Sequence, residues 1–147
     1  MRRHEGLKPL SQEHHLALVE AKHLRGAGEE ADVDSAAARV LAAWPDLDRH
    51  FRDEERLLLP VLGRYAGSEC PEIVETLRQH VAIRAAVDAI AERMDGGLAP
   101  AAVDLHRLGE LLREHVRYEE RVLFPEVEQV LPPEQLWRLQ RQLRDRP

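Results

Sequence analysis

The sequence predicts an all-α protein, an antiparallel up-down-up-down four-helix bundle closed by a short C-terminal helix. Three observations predict it. The interior must be built from aliphatic side chains, because hydrophobic residues make up 44% of the chain while there are only two Phe, two Tyr and two Trp; that mixture favours helix over sheet. Proline and glycine clusters divide the chain into four long amphipathic segments with short connections, which implies antiparallel neighbours. The last two segments also repeat the first two. At 147 residues the chain suits one domain with a real core, spanning 1–147 with the bundle between about 10 and 130.

The first helix starts where Ser11 can cap it and runs to about Leu24, with Gly26 and Gly28 supplying the exit. The second starts near Asp34 or Ser35 and ends over Gly63 to Gly67. Pro45 falls inside it and predicts a kink or short break. Pro71 suits the first position of the third helix, which Gly96-Gly97 stops. The fourth runs from about Pro100 to Val130, and Pro132-Pro133 break it. A short amphipathic helix over about 133–144 then carries Leu136, Trp137, Leu139 and Leu143, a stripe suited to covering one end of the bundle.

Charge and cysteine usage exclude several functions. With 27 acidic and 21 basic residues the formal charge is −6, and no basic block stands apart from acidic neighbours, so neither nucleic acid nor an anionic membrane is an expected partner. No segment approaches the roughly 20 apolar residues of a membrane span. The single cysteine, Cys70, cannot form an internal disulfide, and no apolar run follows Met1-Arg2-Arg3. A cytoplasmic protein is expected.

The repeat points to a site. At a constant offset of 65 residues, His50-Phe51-Arg52-Asp53-Glu54-Glu55-Arg56 lies over His115-Val116-Arg117-Tyr118-Glu119-Glu120-Arg121, and both stretches continue through Leu58 or Leu123 to Pro60 or Pro125. The same offset lays His15 over His80. Residues four apart share a helical face, so His50 with Glu54, and His115 with Glu119, each present an imidazole and a carboxylate to one point. At about 100° per residue these four sit amid Leu47, Leu57, Leu58 and Val61 or Leu108, Leu112 and Val122. Glu55 and Glu120 fall a further 100° or so round, facing the rim. On the first helix the choice lies between His14 and His15. The wheel places His15 between Leu18 and Val19, and the repeat agrees, so His15 is the expected site residue and His14 is assigned to the surface with His4, His23 and His106.

Carboxylates on apolar stripes need a compensating charge, because an unpaired buried carboxylate costs several kcal/mol. A metal supplies it. The imidazole and carboxylate set of His15, His50, Glu54, His80, His115 and Glu119 suits iron, manganese or zinc better than calcium or magnesium. The opposing interpretation is a set of hydrogen-bonded core histidines and solvated helix-surface pairs. For single residues it is the stronger one, but for six on apolar stripes in a repeated pattern the metal site is stronger.

The His50-Phe51-x-x-Glu54-Glu55 and His115-x-x-x-Glu119 patterns, with a single His on each of the other two helices, resemble the hemerythrin-like (HHE) cation-binding family over about Leu10 to Val130. The resemblance implies an antiparallel four-helix bundle around two non-heme iron ions with an oxo or hydroxo bridge. By that likeness His15, His50, His80 and His115 would be terminal ligands, and Glu54 and Glu119 would bridge. The chain also departs from the oxygen carriers of that family. They place a second His one turn after the third-helix ligand, where this chain has Arg84, and an Asp five residues after the last His, where it has Glu120. Arg84 is expected either to hold an anion beside the metals or to reach out to solvent. The resemblance implies a protein that binds or senses O2, NO or iron. The alternatives are a di-iron enzyme acting on peroxide or nitric oxide, and a helical interaction module whose site is empty or holds zinc.

Overall fold

In the computed structural model, which describes residues 2–30 and 32–146, all regular structure is helical and no strand occurs among the described residues. The first helix, α1, spans Lys8–Arg25. The next segment consists of α2 (Val33–Asp53), a π-helical turn over Glu54–Leu58, and α3 (Leu59–Ala66). Then come α4 (Pro71–Asp95) and α5 (Ala102–Tyr118), a second π turn over Glu119–Leu123, α6 (Phe124–Val130) and α7 (Pro133–Arg144). The connections cover 26–32, 67–70 and 96–101; their shortness is what carries the antiparallel expectation. Among the described residues no helix is long and apolar enough to cross a membrane.

Several boundaries follow the sequence signals and others move. Pro71 opens α4 with Cys70 as N-cap, and Gly67 ends α3 at φ 91°, the left-handed conformation that favours glycine. Asp32 caps α2, its carboxylate accepting from the Ser35 N–H at 3.1 Å, so the cap lies just ahead of the expected Asp34 or Ser35. The first helix begins before Ser11, with Pro9 in its first turn. Ser11 is no cap; its hydroxyl donates to Glu120 Oε2 at 2.6 Å. Pro45 causes no break, because α2 runs through it to Asp53.

The interruptions occur upstream of Pro60 and Pro125 instead. Proline has no N–H, and inside an α-helix its ring meets the carbonyl four residues back, here that of Arg56 or Arg121. A π turn removes the conflict by letting the preceding residue bond five residues back: the Leu59 N–H donates to the Glu54 carbonyl, and the Phe124 N–H to that of Glu119. Each turn accommodates one more residue than an α turn. Consecutive residues Leu58 and Leu59, and likewise Leu123 and Phe124, are buried together as a result.

The apolar core has two main parts. One gathers Leu7 and Leu10, Leu58 to Leu62, Leu123 to Val127 and the α7 residues Leu136, Leu139 and Leu143. The other contains Ala21 and Leu24, Val40 and Phe51, Ile83 to Ile90 and Leu105 to Leu112. On each long segment the chain passes from one part to the other through a buried His or Glu: His14 on α1, His50 near the end of α2 with Glu54 opening the first π turn, His80 on α4, and His115 near the end of α5 with Glu119 opening the second π turn. The expected end cap is present in α7, although Trp137 lies outside the core at 42% exposed, its ring 4.9 Å from that of His4.

Candidate metal centre

Five of the six expected residues, His50, Glu54, His80, His115 and Glu119, meet at the middle of the helices, and all are buried. His15 does not join them; it is exposed, and its neighbour His14 is buried in its place. The correction is a matter of helical phase. Leu18, which placed His15 on the core side of the wheel, is 43% exposed. The buried stripe of α1 is Leu10, His14, Ala17, Ala21 and Leu24, in which small alanines carry the pattern where aliphatic bulk was expected. It corresponds to Thr76, His80, Ile83, Val87 and Ile90 of α4, an offset of 66 residues where the other helix pair keeps 65. The 26–32 connection is one residue longer than 96–101, which accounts for the difference.

Two four-residue groups form: His14, His50, Glu54 and Glu119, and Glu54, His80, His115 and Glu119. In each, one donor atom from every residue lies within 4.8 Å of the others, and the two carboxylates belong to both groups. Every histidine turns Nε2 toward the carboxylates. His14 Nε2 is 2.7 Å from Glu119 Oε1, His80 Nε2 is 3.1 Å from Glu54 Oε1, His115 Nε2 is 3.2 Å from Glu119 Oε2 and His50 Nε2 is 3.5 Å from Glu54 Oε2.

The other ring nitrogen is held from outside in all four cases. His14 Nδ1 is bonded to Glu120 Oε2 at 2.6 Å, His50 Nδ1 to Glu13 Oε1 at 2.9 Å, His80 Nδ1 to Glu55 Oε2 at 2.6 Å and His115 Nδ1 to Gln79 Oε1 at 2.7 Å. Such partners fix the orientation of a ligating imidazole and strengthen it as a donor. Glu55 and Glu120 were expected to face the rim; both are partly exposed there, and each reaches a histidine from that side. Glu13 and Gln79 were not expected at all. The signal for them was available, since each immediately precedes the buried His of its helix, at the same offset of 66.

Arginines brace three of these four partners. Arg84 donates from Nη1 to Glu55 Oε2 at 2.7 Å and from Nε to Asp48 at 2.9 Å, so its guanidinium engages two carboxylates and neither expected role applies. Arg146 bridges Glu13 Oε2 at 2.5 Å and Asp53 Oδ2 at 2.6 Å. Arg3 reaches Glu120 Oε1 at 3.1 Å and also pairs with Glu128. Aromatic rings close the layer: Phe51 stacks on His80 with centroids 4.5 Å apart, and Phe124 on His14 at 5.3 Å.

Without an added cation this cluster is heavily perturbed. Burial pulls on every histidine, yet the facing carboxylates prevail at His14, raised to about 9, at His50, raised to about 10, and at His80, raised to about 11. At His115 burial wins and the pKa falls. Burial and the charge of Glu119 push Glu54 up to about 7, while the histidines, His115 foremost, hold Glu119 well below the usual carboxylate range against its own burial. Four inward atoms make no hydrogen bond: His50 Nε2, His115 Nε2, Glu54 Oε2 and Glu119 Oε2. Buried polar atoms are nearly always paired. Two imidazole nitrogens and two carboxylate oxygens left free at one point, with no thiolate among them, make a donor set able to hold a metal ion.

A family model supports the same conclusion. The hemerythrin HHE cation binding domain matches residues 3–127. No curated protein and no solved structure matches the chain. With most of its length matched by that model, and a buried His and Glu cluster able to hold metal at its centre, the chain belongs to the hemerythrin HHE cation-binding domain family.

Proposed function

We propose that the protein holds two iron ions, one between His14 and His50 and one between His80 and His115, with Glu54 and Glu119 shared, and that it binds or senses a small diatomic molecule, O2 or NO. One observation carries this reading: the two groups of candidate ligands are distinct in their histidines and identical in their carboxylates. A single-ion site has no use for the second pair of imidazoles, whereas two ions need shared anions to offset their mutual repulsion. Iron suits the nitrogen and oxygen donors, with manganese or zinc as the competing occupants. It would supply the redox and Lewis-acid chemistry for engaging O2 or NO.

The chain itself holds, orients and shields. Outer partners set each imidazole with Nε2 inward. Phe51, Phe124, Leu58 and Leu123, all at most 1% exposed, keep bulk water away. Glu55 lines a cleft of about 470 Å3 with Leu59, Pro60, Gly63, Ile73 and Leu77. A smaller cavity of about 120 Å3, lined by Glu13, Leu16, Asp46, Leu47, Arg49 and His50, opens on the outer side of a candidate ligand. A cytoplasmic location belongs to the same reading and rests on the unpaired Cys70.

Metal analysis of protein purified without a tag tests the proposal. Two irons per chain, with a change in near-ultraviolet and visible absorption when oxygen or nitric oxide is admitted to the anaerobic sample, are expected. One ion per chain, or none, overturns it.

A further inference from the structure

The outer partners of the four histidines are not alike. His14, His50 and His80 each rest on a carboxylate, whereas His115 rests on the amide of Gln79. The amide cannot be turned around without loss, because its Nε2 donates to Glu75 Oε1 at 3.2 Å; the oxygen is thereby committed to His115. The carboxylates differ among themselves as well. Glu55 uses one oxygen, Oε2, for both His80 Nδ1 and Arg84 Nη1. In Glu13 and Glu120 the arginine takes the opposite oxygen from the histidine, and only the neutral hydroxyl of Ser11 shares Glu120 Oε2.

A charged acceptor forms a hydrogen bond roughly twice as strong as a neutral one and draws the Nδ1 proton further from the ring. The ring nitrogen on the other side becomes a better donor to a metal. Both histidines of the first group have such an acceptor with little competition. In the second group one histidine has none, and the other shares its oxygen with a guanidinium. Accepting the two-ion reading above, we infer that the two metal positions are held unequally, with His14 and His50 forming the tighter one, and that Gln79 is the positioning residue that weakens the position at His80 and His115.

Changing one outer partner alters metal affinity by about 10–100-fold, so a single ion is expected to select one position. The test is a titration of the metal-free protein, carrying 15N-labelled histidine, with Zn2+, followed by the ring-nitrogen resonances. At one equivalent the Nε2 signals of His14 and His50 shift while those of His80 and His115 stay; the second equivalent shifts the remaining pair. Gln79→Glu, which keeps the side chain's size, narrows the preference, leaving only the part due to Arg84 on Glu55, and moves the His115 Nδ1 proton downfield. Glu13→Gln abolishes it from the opposite side by weakening the first position. Equal filling of both positions from the first equivalent, or a Gln79→Glu protein whose preference is unchanged, overturns the inference while leaving the two-ion proposal intact. Uptake of fewer than two ions overturns that proposal, and this inference with it.

Discussion

His14→Ala and His15→Ala differ by one position in sequence and should differ sharply in effect. His14 is 3% exposed, with one ring nitrogen 2.7 Å from Glu119 and the other 2.6 Å from Glu120, whereas His15 is exposed. Metal that binds only the folded protein stabilises it by about 2.7 kcal/mol when free metal is a hundred times the dissociation constant. If loss of His14 weakens binding by about 100-fold, the upper end of what even an outer partner is worth, the stabilisation at that same concentration falls to about 0.4 kcal/mol. The difference is about 2.3 kcal/mol. For a domain of this size each kcal/mol moves Tm by about 2–4 °C, so the metal-induced rise in Tm should shrink by about 5–9 °C. His15→Ala, as a surface change, should leave that rise within about 1–2 °C of wild type. The assay is anaerobic thermal unfolding followed by circular dichroism, with and without Fe2+. The metal-induced rise is compared within each variant, because His14→Ala also removes the stack on Phe124 from the metal-free protein. A variant at position 15 that loses the rise, beside one at 14 that keeps it, would show that the other face of α1 meets the metals.

Glu55→Ala and Glu120→Ala should each weaken metal binding by about 10–100-fold, short of the near-complete loss expected for Glu54→Ala and Glu119→Ala; equal loss in all four, by metal analysis after dialysis, would deny the distinction between inner and outer carboxylates. Above pH 6.5, the ordinary histidine value, the metal-free protein should lose stability as pH rises. His14, His50 and His80 are raised to about 9, 10 and 11, so their contribution is whole below 6.5 and is lost as pH climbs through those values; Glu54, raised to about 7, adds a loss between 4.5 and 7. Metal needs the deprotonated ligands and binds more tightly over the same range, so the metal-induced rise in Tm should widen from pH 6 to pH 9, and a narrowing would refute the assignment. Gly6→Ala places a Cβ 2.2 Å from the Leu136 carbonyl oxygen, backbone that must move as a unit, and should destabilise by about 1–3 kcal/mol; an unchanged urea midpoint would mean that the N-terminal segment does not pack on α7 as described.

Much of the architecture was legible because its signals are local. Pro71, Gly67 and Gly96 mark ends by what their own backbones can adopt, and the heptad-like spacing of aliphatic residues defines long amphipathic segments whatever they pack against. Pro45 and Pro60 show the limit of such signals. Each sits inside a helical segment, yet α2 passes through the first and opens into a π turn before the second. Both prolines are exposed; what distinguishes Pro60 is that it follows Glu54, whose side chain is fully buried. The repeated Glu-Glu-Arg-x-Leu-x-Pro stretch was visible in the sequence, but its meaning, an extra residue in one turn, depends on what that turn must bring inward.

The candidate site divides in the same way. From sequence alone, His50 with Glu54 and His115 with Glu119 were determined as pairs, because a spacing of four within one helix fixes a shared face. The choice between His14 and His15 was not, since neighbouring residues differ by about 100° and a stripe containing alanines can be rotated that far without any local penalty. Only packing against α2 and α5 decided it, through a connection one residue longer in the first half than in the second. Tertiary structure also decided that Glu13, Glu55, Gln79 and Glu120 each hold a histidine, and that Arg3 and Arg146, from opposite ends of the chain, brace two of them. A hydrogen bond between residues more than 100 apart in sequence leaves no periodicity to read. It exists only because burial of the aliphatic stripes brings those helices together, and burial then makes an unpaired imidazole or carboxylate too costly to leave without a partner.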